Sequence, residues 1–305
     1  MAVQLAGSIN VDLIQNVEAL PRPGETVLAR DSVRLPGGKG ANQAVAAARV
    51  GARVRMCGAV GADDGGAWMR ALLDADGIDT AMVATLPDCA TGTAFITVDA
   101  HGENQIIVVP GANARLKPEQ VAAPDADTRV LLAQLEIPVD TVAALFSAPG
   151  AERCTRILNG APAVRAAASL FDLCDVLIVN QTELALYLDL DHAPEDAHAA
   201  LAARRLLTRA DQVVVVTLGA GGAVAVRPDR HFHAPAFPVT PVDTIGAGDC
   251  FVGALAAMLD ANGTVEDALP FANAAAALCT QRRGAIPAMP TRADVDGLYP
   301  GAGAA

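Results

Sequence analysis

The sequence predicts a doubly wound, mostly parallel α/β sheet flanked by helices, with a small β-sheet lid added to it. Short β-branched runs, most of them apolar on both faces, recur along the chain, and Ala-rich segments of helical character lie between them. Parallel strands need crossover helices, so this alternation implies βαβ units. Two strand-rich stretches break the rhythm and have no helix of their own.

The strand candidates, in order, are "VQLAGSI" from Val3, "VRMCGAVG" from Val54, "VLLAQLE" from Val130, "TRILN" from Thr155, "DVLIVN" from Asp175 and "QVVVVTLG" from Gln212. Helical character is read in "GANQAVAAARVG" (Gly40 to Gly51), "GAWMRALLDADG" (Gly66 to Gly77) and "PEDAHAALAARRLLTRA" (Pro194 to Ala210). A long apolar helix follows Asp249, and a second starts at Thr264 as N-cap, with Asp267 as capping-box partner, and runs to about Gly284. The two interruptions, Glu25 to Gly37 and Thr91 to Gly111, read as strand pairs, the latter turning at Ala100–His101–Gly102. A flap over the sheet and an ordinary antiparallel edge both satisfy that pattern. No linker or repeat divides the chain, so residues 1–305 are expected to form one α/β domain with lid inserts at about 11–36 and 88–112. The terminal "PGAGAA" reads as frayed.

Composition narrows the function. Hydrophobic residues make up 52% and aromatic ones 3%, so the core must be built of Ala, Val and Leu. A net charge of −12, with no basic block, argues against a nucleic-acid partner or an acidic membrane surface. The cysteines Cys57, Cys89, Cys154, Cys174, Cys250 and Cys279 show no CxxC or zinc spacing, and read as small buried hydrophobes. The N-terminus lacks a basic leader and no run is long enough to span a bilayer; the expectation is a reducing cytoplasm.

Two glycine clusters carry the chemistry. In "DTIGAGDCF", Gly246, Ala247 and Gly248 let backbone N–H groups approach a ligand at a helix N-terminus, an anion site, yet Asp249 puts a carboxylate at the same mouth. In "LPGGKGANQ", Lys39 is followed by Gly40 where a Walker motif needs Ser or Thr; what remains is a close-approach turn, a lysine, and Asn42 with paired donors and acceptors suited to a polyhydroxy compound. "TLGAGGAV" has Val224 where a dinucleotide fingerprint needs glycine, so a turn touching part of a nucleotide is the better reading. Asn10, Asp12, Glu136, Asn180 and Glu183 all fall at strand ends, where ligands bind in open α/β sheets, although each alone also suits a helix cap or solvated loop. His231 and His233 alternate on one strand face without ligand partners and read as surface; Trp68 reads as packing.

"GSINVD" from Gly7, "GGKGANQA" from Gly37, "QLE" ending at Glu136, "NQTE" from Asn180 and "DTIGAGD" from Asp243 together resemble the PfkB-type carbohydrate kinases, in the motif wording of the ribokinases. The likeness runs from about residue 4 to 299. It implies a ribokinase-like fold and ATP-dependent phosphorylation of a sugar's primary hydroxyl, with D-ribose 5-phosphate as product. It also implies Asp249 as general base and an anion hole at Gly246, Ala247 and Gly248. Asn10, Asp12, Gly38, Lys39, Asn42 and Glu136, with Asp249, would hold the sugar. Asn180 and Glu183, tied to phosphate and hydrated Mg²⁺, would join Thr217, Gly219, Gly222, Gly248 and Asn273 on the nucleotide side. K⁺ would sit by the Asp243 carboxylate and backbone around Ile245, Cys279, Arg282 and Gly284, and the lid would pair two subunits.

The chain departs from the family wording at "NGAP" (Asn159 to Pro162), at Cys250, where threonine is frequent, and at Ala288, where a cation-binding serine is common. Deoxyribose, fructose or a nucleoside are alternative substrates within the class. Outside it stand a catalytically idle sugar or nucleotide sensor, against which the intact Asp249, glycine loop and Glu183 argue, and a nicotinamide dehydrogenase resting on "TLGAGGAV" alone.

Overall fold

The computed structural model describes residues 1–300; the expectation for the segment after Pro300 lies outside them. In chain order the elements are β1 (Ala2–Ala6), β2 (Asn10–Asn16), β3 (Asp31–Gly37), α1 (Lys39–Arg49), β4 (Val54–Gly61), α2 (Asp64–Ala75), β5 (Asp79–Leu86), β6 (Gly92–Val98) and β7 (Asn104–Val109). There follow β8 (Thr128–Ala133), α3 (Val139–Ser147), β9 (Thr155–Asn159), β10 (Val176–Asn180), α4 (Gln181–Leu188), β11 (Val213–Thr217), β12 (Ala223–Val226), β13 (His231–Ala234), α5 (Ala247–Asp260), α6 (Val265–Thr280) and α7 (Arg292–Leu298). Nine strands form the main sheet in the order β13-β12-β11-β10-β9-β8-β1-β4-β5. It is parallel from β11 to β5; β12 pairs antiparallel with β11, and β13 antiparallel with β12.

Helices cover both faces, which is why β10 and β11 are apolar up to their last residue and β12 throughout. Val213 and Val215 join the apolar cluster under α1, α5 and α6, while Val214 and Val216 join the one under α3 and α4. The helix α6 opens on the capping box read from sequence, Thr264 Oγ1 accepting from Asp267 N, but it ends at Thr280, a turn before Gly284.

Two expectations are corrected. Of Pro194 to Ala210, only Ala199–Leu206 coils, and it does so as 3₁₀ turns. Ala200, Ala203 and Leu206 are buried, spaced by three, and α4 already supplies a crossover helix before β11. Glu25 to Gly37 does not pair with itself. β3 pairs antiparallel with β2, which follows β1 after a few residues, while Arg22 and Glu25 close a turn upstream.

The lid is therefore a separate four-stranded sheet, β3-β2-β6-β7, in which β2 and β6 run parallel. The β6–β7 turn falls where expected: Asp99 Oδ1 accepts from the N–H groups of His101 and Glu103, and Gly102 has φ +82°. At the lid's root Asp63 caps α2 and also accepts from Thr91 N and Oγ1 at 2.8 and 2.6 Å. Trp68 lies half-buried beneath the Arg34 guanidinium, 4.1 Å from its ring centre, so it packs as expected. Among the described residues all six cysteines are free; five are buried, and Cys89 is intermediate.

Candidate active site

The carboxyl ends of β1, β8, β9, β10 and β11 open on one side of the main sheet, and the polar residues singled out from sequence gather there. α5 brings Asp249 to this edge by lying unusually close to α1. A Cβ on Gly253 would stand 2.4 Å from the Gln43 carbonyl oxygen and 2.7 Å from the Ala46 methyl, so only glycine admits the approach. Asp249, 7% exposed, consequently meets two α1 side chains: Asn42 Nδ2 donates to Oδ2 at 2.8 Å, and Gln43 Nε2 donates to Oδ1 at 2.9 Å.

Gly246 caps α5 at φ +78°, pressed against Ala285, and leaves the helix mouth open. The expected anion hole needs one correction: the Ala247 N–H is bonded to the Thr244 carbonyl at 3.3 Å. Among the described residues the N–H groups of Gly246 and Gly248 have no protein acceptor. They line a cleft with Lys39, Asn180, Glu183, Thr217 and Asp249. Asp249 is the chief influence raising the Lys39 pKa, against a burial penalty, with Glu136 and Glu183 adding to it. The cleft is thus rich in carboxylates around one ammonium group.

The other expected sugar residues are tied down from below. Glu136 Oε2 accepts from Ser8 Oγ at 2.5 Å and from the Lys39 N–H at 3.0 Å, capping α1 with a negative charge where the helix dipole favours one. Asn113 receives Ile9 N on its Oδ1 and donates from Nδ2 to Asn10 Oδ1 at 2.7 Å, and among the described residues the NH₂ of Asn10 has no protein acceptor. Asp12, on β2, has its pKa pushed up to about 7 by burial and then by Glu136 and Asp249. Gly38 is buried at the start of α1.

On the nucleotide side Asn180 and Glu183 form a reciprocal capping box on α4, Asn180 Oδ1 accepting from Glu183 N and Glu183 Oε2 from Asn180 N, each at 2.8 Å. Burial pushes the Glu183 pKa up, and the bond from Asn180 together with Lys39 counters it. A wider cavity of about 710 Å³ lies alongside, bounded by Thr217, Gly219, Gly222, Phe237, Val239, Phe251 and Asn273. Both donors of Asn273 are engaged by the carbonyls of Ala234 and Pro235, leaving its oxygen. "TLGAGGAV" is a turn from β11 into antiparallel β12 with no helix after it, which removes the dinucleotide fingerprint. His231 and His233 are exposed on β13, His233 beside the Gly221 carbonyl.

Asp243 links the two segments expected around a cation, accepting from Ile245 N at 3.0 Å and from Gly284 N at 2.8 Å. The Cys279 carbonyl is bonded to Arg282 N, and Ala288 is fully buried in the apolar cluster.

Sequence reading missed Ser8, Gln43, Asn113, Gln134 and Asn159. The signal for Gln43 was present: Asn42 and Gln43 are the polar interruption of the otherwise small and apolar "GANQAVAAA". Asn113 carries no comparable signal.

A pocketed α/β sheet, an open helix mouth and a carboxylate beside it suit a phosphotransferase of the sugar-kinase type. The pfkB family carbohydrate kinase model matches residues 3–292, and the chain belongs to that family, whose members phosphorylate a hydroxyl group. It is 37% identical to the ribokinase of Bacillus subtilis, over 96% of this chain and 97% of that one. It is 35% identical to a deoxyribokinase of Salmonella typhi, over 95% and 96%. It superposes on the structure of Arabidopsis thaliana ribokinase complexed with ribose and ATP with TM-score 0.83 and 31% identity, covering 98% of this chain and 99% of the other.

Proposed function

We propose that this protein transfers the γ-phosphoryl group of ATP to the 5-hydroxyl of D-ribose, releasing ribose 5-phosphate and ADP. One observation carries the reading: the Asp249 carboxylate stands at the mouth of α5 beside the unbonded N–H groups of Gly246 and Gly248, in one cleft with Lys39 and Glu183. Asp249 takes the proton of the hydroxyl as its oxygen attacks the γ-phosphorus and the bond to the β–γ bridging oxygen breaks. Base and N–H donors must be neighbours because nucleophile and phosphorus meet in line at roughly 3–3.5 Å. The carboxylate serves the hydroxyl, and the N–H groups serve the charge on the transferred phosphoryl. That division answers the apparent conflict of an acid at an anion site.

Asn10, Asp12, Gly38, Lys39, Asn42 and Glu136 hold the sugar, the carboxylates accepting from its hydroxyls and Asn10 donating. Thr217, Gly219, Gly222 and Asn273 border the nucleotide. Mg²⁺, held through Asn180 and Glu183 by way of water, would neutralise phosphate charge. Asp243 and nearby carbonyls are hard oxygen donors suited to K⁺, and among the described residues no cluster of three His, Cys, Asp or Glu side chains offers a competing metal cage. Such an ion would stiffen the loop that carries Gly246. Residues 1–305 act as one kinase unit, and two copies pair through the lid. The free cysteines fit a reducing cytoplasm, and no helix among the described residues is long and apolar enough to cross a membrane.

Deoxyribose is the second reading, favoured by the 35% identity to a deoxyribokinase. An ADP-release assay with Mg²⁺ over ribose, deoxyribose, fructose and adenosine decides between them. Ribose is expected to show the highest kcat/KM, because a site built to bond a hydroxyl rejects the analogue lacking it. A panel led by deoxyribose selects the second reading, and one led by adenosine overturns both.

A further inference from the structure

Asp249 rests on a buried chain of amides contributed by α1, β9 and the end of β8. Gln43 is fully buried. Its Oε1 accepts from Gln134 Nε2 at 2.6 Å, while its own Nε2 donates to Asn159 Oδ1 and to Asp249 Oδ1, each at 2.9 Å. Asn159 donates in turn from Nδ2 to the Ile178 carbonyl of β10 at 3.2 Å, which commits its oxygen to Gln43.

These bonds leave Gln43 one orientation. Flipping its amide would set its oxygen against the Asn159 oxygen and the Asp249 carboxylate. A buried amide so constrained presents donors alone to its neighbours. Gln134 follows β8, Asn159 ends β9 and Ile178 lies in β10, so the chain transmits the rigidity of the main sheet to the one carboxylate that α5 carries into the cleft.

We propose that Gln43 is a positioning residue for phosphoryl transfer. Held by Gln134 and Asn159, it fixes the rotation of the Asp249 carboxylate, and with it the direction of the lone pair that accepts the hydroxyl proton. Asn42 holds the other oxygen, so each oxygen carries one protein bond and retains a lone-pair direction. The inference rests on Asp249 acting as base.

The test is Gln43→Met, which keeps the side chain's length and removes its hydrogen bonds. With sugar and ATP both saturating, kcat per active site, the sites counted by ADP titration, is expected to fall roughly 10–100-fold. KM for ATP should stay within about threefold, since the amide chain does not touch the nucleotide cavity. A purely structural role would lower the melting temperature and the number of active sites but leave kcat per site within about twofold; this result overturns the proposal. Should Gln43→Met not fold, Gln134→Met removes the donor to Gln43 Oε1 without touching Asp249. It is expected to lower kcat per site in the same direction by a smaller amount, and an unchanged kcat per site there overturns the proposal equally. Asp249→Asn, run in parallel, separates the two readings. Loss of turnover in Asp249→Asn with an unchanged kcat per site in Gln43→Met rejects only the positioning role, whereas normal turnover in Asp249→Asn rejects the base and the positioning role with it.

Discussion

The floor of the cleft and its lid are built on opposite plans. On the floor Asn42, Gln43 and Asp249 are each 7% exposed or less, they are bonded to one another or to the main sheet, and Gly253 locks the two helices that carry them together. The lid shows solvent an apolar strand: Ile106 is 55% exposed, Ile107 67%, and Val108 and Val109 nearly half. It joins the body through narrow polar anchors at Asp63–Thr91 and Asn113–Asn10. Groups that must keep sub-ångström geometry are embedded in packed helices. The lid strand at the sheet edge is left under-packed, where small free-energy changes can move it.

If this contrast governs function, the heaviest loss follows damage to the floor. Asp249→Asn should lower kcat by roughly 10²–10⁴-fold with little change in KM, because proton removal is lost while substrate contacts survive. Near-normal turnover would sink the assignment.

The next effect lies where floor and lid meet, at Asp12 of β2. With its pKa pushed up to about 7, it is largely protonated at pH 6 and ionised at pH 8. If the ionised form accepts from the sugar, kcat/KM for sugar should rise about tenfold between those values, and Asp12→Asn should flatten the rise. The linked stability has the opposite sign. The folded state holds this proton up to about pH 7, whereas the unfolded chain releases it at its ordinary 3.8, so stability falls as pH rises through that window. Asp12→Asn should therefore gain melting temperature relative to the wild type at pH 8 and not at pH 3.5. A pH-independent difference would contradict it.

A smaller change is expected at the loop that frames the floor. Adding K⁺ at constant ionic strength should raise kcat by roughly two- to tenfold, acting through the Gly246 loop, with less effect on KM. Asp243→Asn should abolish the response, and a wild type indifferent to K⁺ would remove the cation from the mechanism.

The lid prediction concerns assembly. An exposed apolar strand at the edge of a sheet invites pairing about a two-fold axis. Light scattering should give a dimer for the wild type and half that mass for Ile107→Lys, with the floor's pH behaviour retained. A wild-type monomer at working concentration would break the comparison on the lid side.

Much of this was written locally. The period of the apolar runs marks β1, β4, β8, β9, β10 and β11. Capping at Thr264 and at Asn180–Glu183 sits within three residues of its partner, and the glycines at the mouth of α5 announce an open helix N-terminus unaided. Local pattern failed where distance decided. β3 found its partner in β2 and not in the residues just before it, because the turn at Arg22–Glu25 occupied that segment. The 3₁₀ course of Ala199–Leu206 follows from which alanines the finished sheet could bury.

The sequence by itself determined the layer architecture, the family and several of the residues that line the cleft, since each rests on spacings that a few neighbouring residues can encode. Only the tertiary structure decided how those residues are held. Gln43 and Asp249 lie 206 positions apart, and Asn113 and Asn10 lie 103 apart. A buried amide becomes a committed donor only when the packing of distant strands closes every other orientation to it.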